Sequence, residues 1–92
     1  MAAAAADFEQ AIGQAFIVET GSGRVSLELS AVNRIASSPR PGGGFSLLFR
    51  GPPEIALPQA TYSLAGAGGV HDIFIVPIAA DAVGLLYEAV FN

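Results

Sequence analysis

Residues 45–53, FSLLFRGPP, have the pattern of a β-strand that ends abruptly. Phe45, Leu47 and Phe49 fall on one face of an extended chain, because successive side chains of a strand point to opposite faces. Arg50 ends this strand, directly before a glycine and two prolines that cannot continue it. The stretch therefore predicts a half-buried strand and raises the question of what its terminal arginine contacts.

Other stretches share this strand chemistry. In residues 24–31, RVSLELSA, the alternation is strict and predicts that Val25, Leu27, Leu29 and Ala31 share the buried face. Residues 71–78, HDIFIVPI, are almost continuously apolar, which is typical of a strand covered on both faces, and Pro77 indicates an edge, a bulge or an exit there. The remaining strands are predicted at residues 16–19, 60–64 and 85–91.

Turn signals separate these strands. ETGSGR at residues 19–24 predicts a hairpin, AGAGG at 65–69 predicts a second turn, and ASSPRPGGG at 36–44 predicts a mobile loop. A capping-box pattern of Asp7 and Gln10 predicts a short helix over residues 7–12. The fold class is therefore mainly β: a small antiparallel β-barrel or sandwich of about six strands with one short N-terminal helix. Residues 1–6 are an alanine-rich lead-in, and residues 7–92 form a single β-rich domain.

The composition excludes several classes of function. The 92 residues contain four arginines, no lysine and no cysteine, and the net charge is −4. Nucleic acid is therefore not an expected partner, because its phosphates must be neutralised by cations, and an anionic membrane surface is disfavoured for the same reason. No apolar run approaches the roughly 20 residues of a spanning helix. We expect a soluble protein, cytoplasmic unless it is exported with a partner assembly.

The sequence offers little for catalysis. His71 is the single imidazole, and neighbouring Asp72 points the other way in an extended chain, so neither a triad nor a metal site is expected. The glycines at 66–69 precede another strand rather than a helix, which excludes a dinucleotide-binding turn. We expect no enzyme, no catalytic residue, no metal and no cofactor.

Arg50 has two interpretations. It shares strand parity with Glu88, which predicts a cross-strand structural pair between Arg50 and Glu88 if their strands are neighbours, and Glu54 is the competing partner. The alternative is that Arg50, or Arg34, contacts an anionic ligand or a partner protein.

Five blocks of the chain resemble a small bacterial family known only as a domain of unknown function. These are GQAF, FSLLFRGP, LPQATYSL, DIFIVPI and YEAVFN, which span nearly the whole chain after the alanine tract. The resemblance implies no activity. It does imply a structural role, since some members are encoded near phage-tail-like or tail-collar-like proteins.

The leading hypothesis is a non-enzymatic structural or protein-interaction module that contacts another protein or itself, with a tail-like or fibre-like assembly as the context that the resemblance suggests. Its contact would be an edge strand or an apolar patch, because 52% of the residues are apolar. The candidate surfaces are the strand containing Pro77, the loop at 36–44 and the passage at 55–59. The alternative is a small β-barrel that binds an anionic small molecule through Arg50 or Arg34, although so small a barrel has little interior space.

Overall fold

Six antiparallel strands and one short helix make up the protein in the computed structural model, which describes residues 5–21, 23–35 and 43–91. The elements are helix α1 (Ala5–Glu9) and strands β1 (Ala15–Thr20), β2 (Gly23–Ile35), β3 (Gly44–Gly51), β4 (Ala60–Gly66), β5 (Gly69–Ala80) and β6 (Leu85–Phe91). The predicted class, mainly β with one N-terminal helix, is confirmed. Most of the predicted mobile loop, residues 36–42, lies outside the described residues.

The strands close into a barrel in the order β1-β2-β3-β6-β5-β4. Two three-stranded meanders, β1-β2-β3 and β4-β5-β6, are joined along two seams. The β3–β6 seam has seven residue pairs, whereas the β1–β4 seam has two, Ile17 with Ala65 and Val18 with Leu64. Gly66 lies beside this short seam, and a Cβ there would come within 2.7 Å of the Phe16 ring, so the absence of a side chain allows the close approach.

Strand β2 begins with the predicted alternation and then changes phase. Val25, Leu27 and Leu29 are buried, as predicted. A bulge then lies between Leu29 and Ala31. The extra residue reverses the strand's faces, so Val32 packs against the core and the prediction that Ala31 shares the buried face is wrong.

Helix α1 covers one end of the barrel. It begins at Ala5, two residues before its predicted start, and ends at Glu9, three residues before its predicted end. Phe8 is fully buried, and its ring centroid lies 5.2–6.3 Å from those of four surrounding rings. They belong to Phe16, Phe45, His71 and Phe91. The helix is therefore anchored by an aromatic side chain that plugs the barrel.

The connection from β3 to β4 contacts the other end. Its Leu57 is buried, and the backbone N–H of Leu57 donates a 2.9 Å hydrogen bond to the hydroxyl of Tyr87. Because Tyr87 lies in β6 and is itself fully buried, this hydrogen bond fastens the proline-rich passage to the barrel wall.

Strand β5 departs from its predicted environment. Ile73 and Ile75 are buried, but Phe74 keeps 49% of its surface exposed. The prediction that this strand is covered on both faces is therefore wrong, because only one layer of protein packs on it. Pro77 adjoins a bulge between Pro77 and Ala79, which was one of the three positions predicted for it.

Candidate interaction surface

Arg50 points outward from the end of β3 and forms an ion pair with Asp81. Its Nη1 donates hydrogen bonds of 2.8 and 2.9 Å to the two carboxylate oxygens of Asp81, in the connection between β5 and β6. Asp81 Oδ1 also accepts from the backbone N–H groups of Val83 and Gly84, at 2.9 Å each. The Arg50 hydrogen bond, followed by those two backbone N–H groups, lowers the pKa of Asp81 below its ordinary range.

The ion pair of Arg50 is therefore not made with the predicted partner, Glu88. The two side chains do share an outward face on neighbouring strands, as predicted, but Glu88 stands opposite Leu48 and Arg50 stands opposite Leu86. Asp81 is held in place by its own loop, so the arginine contacts a fixed carboxylate beyond the strand end. The other predicted competitor, Glu54, lies exposed in the β3–β4 connection.

Arg34 also contacts a carboxylate. Its Nε and Nη2 donate hydrogen bonds of 2.9 and 2.7 Å to the two oxygens of Glu9 in helix α1. The Arg34 hydrogen bond lowers the pKa of Glu9 and raises that of Arg34. Arg34 stands level with Phe45 and so lies five residues from Arg50 along β3, roughly 17 Å. The structure does not bring the two predicted anion contacts together.

Apolar side chains from all six strands point into the barrel. Among the described residues, Tyr87 is the one buried side chain with a polar group, and no buried side-chain nitrogen or oxygen lacks a hydrogen-bond partner. A hollow of about 220 Å³ lies outside the ring, between helix α1 and the β4–β5 turn, where Gln10, Gln14 and Gly68 line it. The buried core consists of Ala5, Phe8, Ala11, Phe16, Val18, Val25, Leu27, Leu29, Phe45, Leu47, Phe49, Leu57, Leu64, Ile73, Ile75, Tyr87 and Ala89.

His71 and Asp72 have separate environments. The His71 ring packs on Phe8, and its Nε2 lies 3.1 Å from the carbonyl oxygen of Gly66. Asp72 accepts a 2.6 Å hydrogen bond from the hydroxyl of Ser63 on the neighbouring strand. Within residues 5–21, 23–35 and 43–91, no three histidine or carboxylate side chains are grouped so that they could hold a metal ion.

A contiguous apolar surface lies on the outside of β3, β6 and β5. Leu48 and Val76 flank Glu88 on the two neighbouring strands, and Leu86 and Val90 flank it along β6. Phe74 lies next to Val76 on the same face of β5. Phe74 and Val90 are 49% and 51% exposed, and the other members are half-buried. We call this surface the apolar face: Leu48, Phe74, Val76, Leu86 and Val90.

Sequence reasoning missed this face because it interpreted the apolar run of β5 as doubly covered. The signal that could have found it is the parity of β3, β5 and β6 taken together. Once Phe49, Ile75 and Tyr87 are placed inside, Leu48, Val76 and Leu86 must point outward. That step requires knowing which strands are neighbours.

No helix among the described residues has both the length and the apolar composition needed to cross a membrane.

Comparison with known proteins gives a family and no activity. No curated protein and no solved structure matches the chain. A family model does match it, over residues 3–91, and this confirms the predicted resemblance to an uncharacterised domain family. The chain therefore belongs to the family described as domain of unknown function DUF6916.

Proposed function

We propose that this barrel is a non-enzymatic protein-interaction module that contacts its partner through the apolar face. The observation that supports the proposal is the grouping of five outward apolar side chains on three adjacent strands. The outward face of an antiparallel sheet is ordinarily polar where it meets water. A contiguous apolar patch on such a face usually marks a contact with another macromolecule.

The strands on either side of β3, β6 and β5, which are β2 and β4, supply a comparison. Outward positions on β2 and β4 carry Ser26, Glu28, Thr61 and Ser63, all of them exposed. Large apolar side chains are thus grouped more closely on the outward face of β3, β6 and β5 than at these four positions. Other large apolar side chains, such as Ile12, Val70 and Val83, are also exposed outside the apolar face, and it is the grouping of five on adjacent strands that favours a contact surface there.

The alternative, a barrel that binds an anionic small molecule, has less support. Arg50 and Arg34 are both paired with carboxylates, and the core side chains occupy the interior in which such a ligand would lie. An enzyme has less support still, because His71 packs against a phenylalanine ring and is hydrogen-bonded to the backbone. As the assembly in which the module acts, we propose the tail-like or fibre-like setting that the sequence resemblance suggests.

Val90→Glu tests the proposal, with Val83→Glu as its matched control. Both valines are at least half exposed and gain the same charge, but Val83 lies in the β5–β6 connection, outside the apolar face. The wild-type protein and both variants are used to capture partners from extracts of the source cells after cross-linking. We expect Val90→Glu to reduce recovery of the wild-type partner at least tenfold, and Val83→Glu to leave it unchanged. Equal recovery by Val90→Glu and wild type would contradict the proposal, provided that both variants keep the wild-type amide NMR spectrum.

A further inference from the structure

We propose that the partner of the apolar face presents a single basic side chain, an arginine or a lysine, to Glu88, within an otherwise apolar contact surface. This inference rests on the proposed interaction function. It goes further because it specifies the chemistry of the partner, and because it excludes a second copy of this chain as the occupant of the face.

Glu88 is surrounded on its sheet by apolar side chains. Its four nearest outward positions are Leu48 and Val76 on the neighbouring strands and Leu86 and Val90 on its own strand. The residue is half-buried. Among the described residues it has neither a hydrogen bond nor an ion pair through its carboxylate. The Glu88 carboxylate, at the centre of the apolar face, is therefore available to a counter-charge from a partner protein.

Arg50, the cation nearest to Glu88 in the sheet register, forms an ion pair with Asp81. Arg50 stands diagonally from Glu88, opposite Leu86, but its Nη1 contacts both oxygens of Asp81. That aspartate is fixed by two backbone hydrogen bonds of its own loop. In this arrangement Arg50 forms its ion pair with Asp81 and not with Glu88.

Docking favours a cation on the partner. A partner that covers the apolar face removes water from Glu88, and a carboxylate that loses water without gaining a counter-charge opposes binding strongly. A basic side chain at the centre of the partner surface removes this penalty. It also gives specificity, since a purely apolar competitor would leave the charge unpaired.

A second copy of this chain lacks that complementarity. In a two-fold dimer through this face, the residue at its centre approaches its own copy, so two Glu88 carboxylates would be brought together. Each chain also carries a net charge of −4, which adds to the repulsion. The geometry thus favours a different protein with a basic centre.

The test is a selection from a random peptide library displayed on its own mRNA, carried out against the wild type, Glu88→Gln and Glu54→Gln. Glu54 is an exposed carboxylate in the β3–β4 connection, so its replacement removes the same charge away from the face. We expect the wild type and Glu54→Gln to select peptides with one arginine or lysine among apolar residues. These peptides should shift the methyl NMR signals of Leu48, Val76, Leu86 and Val90, and bind Glu88→Gln at least tenfold more weakly.

Other outcomes would distinguish a failure of the basic-partner inference from a failure of the proposed interaction function. Peptides that bind the face without a basic residue, and with equal affinity for Glu88→Gln, would overturn the basic-partner inference and leave the interaction function standing. Selected peptides that bind elsewhere, or no enrichment at all, would overturn both. Sedimentation equilibrium adds an independent check, because we expect a monomeric wild type and an associating Glu88→Leu variant. A wild-type dimer formed through this face would contradict the inference.

Discussion

At the scale of single residues, Ala67 has the least favourable backbone conformation that the structure describes outside glycine. It has φ of 50° and precedes Gly68 with φ of 79° in the two-residue turn between β4 and β5, the pattern of a type I′ turn. Left-handed conformation costs an L-residue with a Cβ atom about 1–2 kcal/mol, whereas glycine adopts it freely. The turn thus matches the twist of the hairpin, but the left-handed conformation of Ala67 lowers the stability of the folded state.

Replacement of Ala67 by glycine should therefore stabilise the protein. We expect the free energy of unfolding in urea to rise by about 0.5–1 kcal/mol, since part of the relief is offset by the greater freedom of glycine in the unfolded chain. Ala65→Gly, in the exposed part of β4, is the control and should lower the stability. An Ala67→Gly protein no more stable than the wild type would refute the expected strain relief.

The sequence alone predicted the face to which each side chain of β3 points, but it did not predict the ion-pair partner of Arg50. The alternation of FSLLFR correctly placed Phe45, Leu47 and Phe49 inside and Arg50 outside. It could not identify Asp81 as the partner of Arg50, because that contact depends on how the β5–β6 connection folds back toward the end of β3.

At the scale of elements, the β3–β4 connection depends on tyrosine hydroxyls. The Tyr87 hydroxyl accepts from the backbone N–H of Leu57 at 2.9 Å in a buried setting, whereas the Tyr62 hydroxyl donates to the carbonyl oxygen of Pro58 at 2.7 Å in an exposed one. Two tyrosine hydroxyls therefore hold the β3–β4 connection, one in a buried environment and the other in an exposed one.

Tyr87→Phe should cost more stability than Tyr62→Phe. The first change leaves the Leu57 N–H without its buried acceptor, a loss of about 1–3 kcal/mol, while water can replace the exposed hydrogen bond of Tyr62 at a cost of about 0.5 kcal/mol. Urea unfolding measures both, and hydrogen exchange of the Leu57 amide should quicken only in Tyr87→Phe. Equal losses in the two variants would refute this role for Tyr87.

The elements were largely predictable because turn residues and period-two alternation are local signals. All six strands and the glycine-rich hairpin turns were found from them. The bulge before Ala31 and the exposure of Phe74 were not, because each depends on the neighbouring strands rather than on the strand itself. The helix has different bounds from those predicted, Ala5–Glu9 rather than 7–12, because the capping pattern is a weak local signal and the packing of Phe8 depends on the rest of the barrel.

At the scale of the whole molecule, stability should decline in acid. The pKa values of Glu9 and Asp81 are both lowered in the folded state, chiefly by hydrogen bonds from Arg34 and Arg50. A lowered folded-state pKa adds stability above the ordinary pKa of about 4, and this contribution is lost as the pH falls through the lowered value.

Arg34→Gln should flatten this pH dependence. Without the hydrogen bonds of Arg34, the pKa of Glu9 should return toward its ordinary range, as NMR titration of its carboxyl carbon would show. The free energy of unfolding, measured from pH 7 to pH 2.5, should then fall less steeply in the acid range. Arg24→Gln is the control, because it removes the same charge from the exposed pair with Glu19 at 3.3 Å. Identical slopes for wild type and Arg34→Gln would contradict the expected effect.

The closed ring itself was predicted only as one of two architectures. Strand number and alternation are the same for a barrel and a sandwich, and the choice depends on whether β1 meets β4. That contact joins residues that are far apart in the chain and is made by two residue pairs, so no local sequence pattern predicts it.

The unequal seams have a consequence for folding and for motion. Each meander is built from contacts between sequence neighbours and can form early, whereas the two seams require closure of long loops and should limit the folding rate. In the native state, the two-pair seam should open far more often than the seven-pair seam between β3 and β6. The barrel would then become transiently an open six-stranded sheet, its two meanders still joined along β3 and β6.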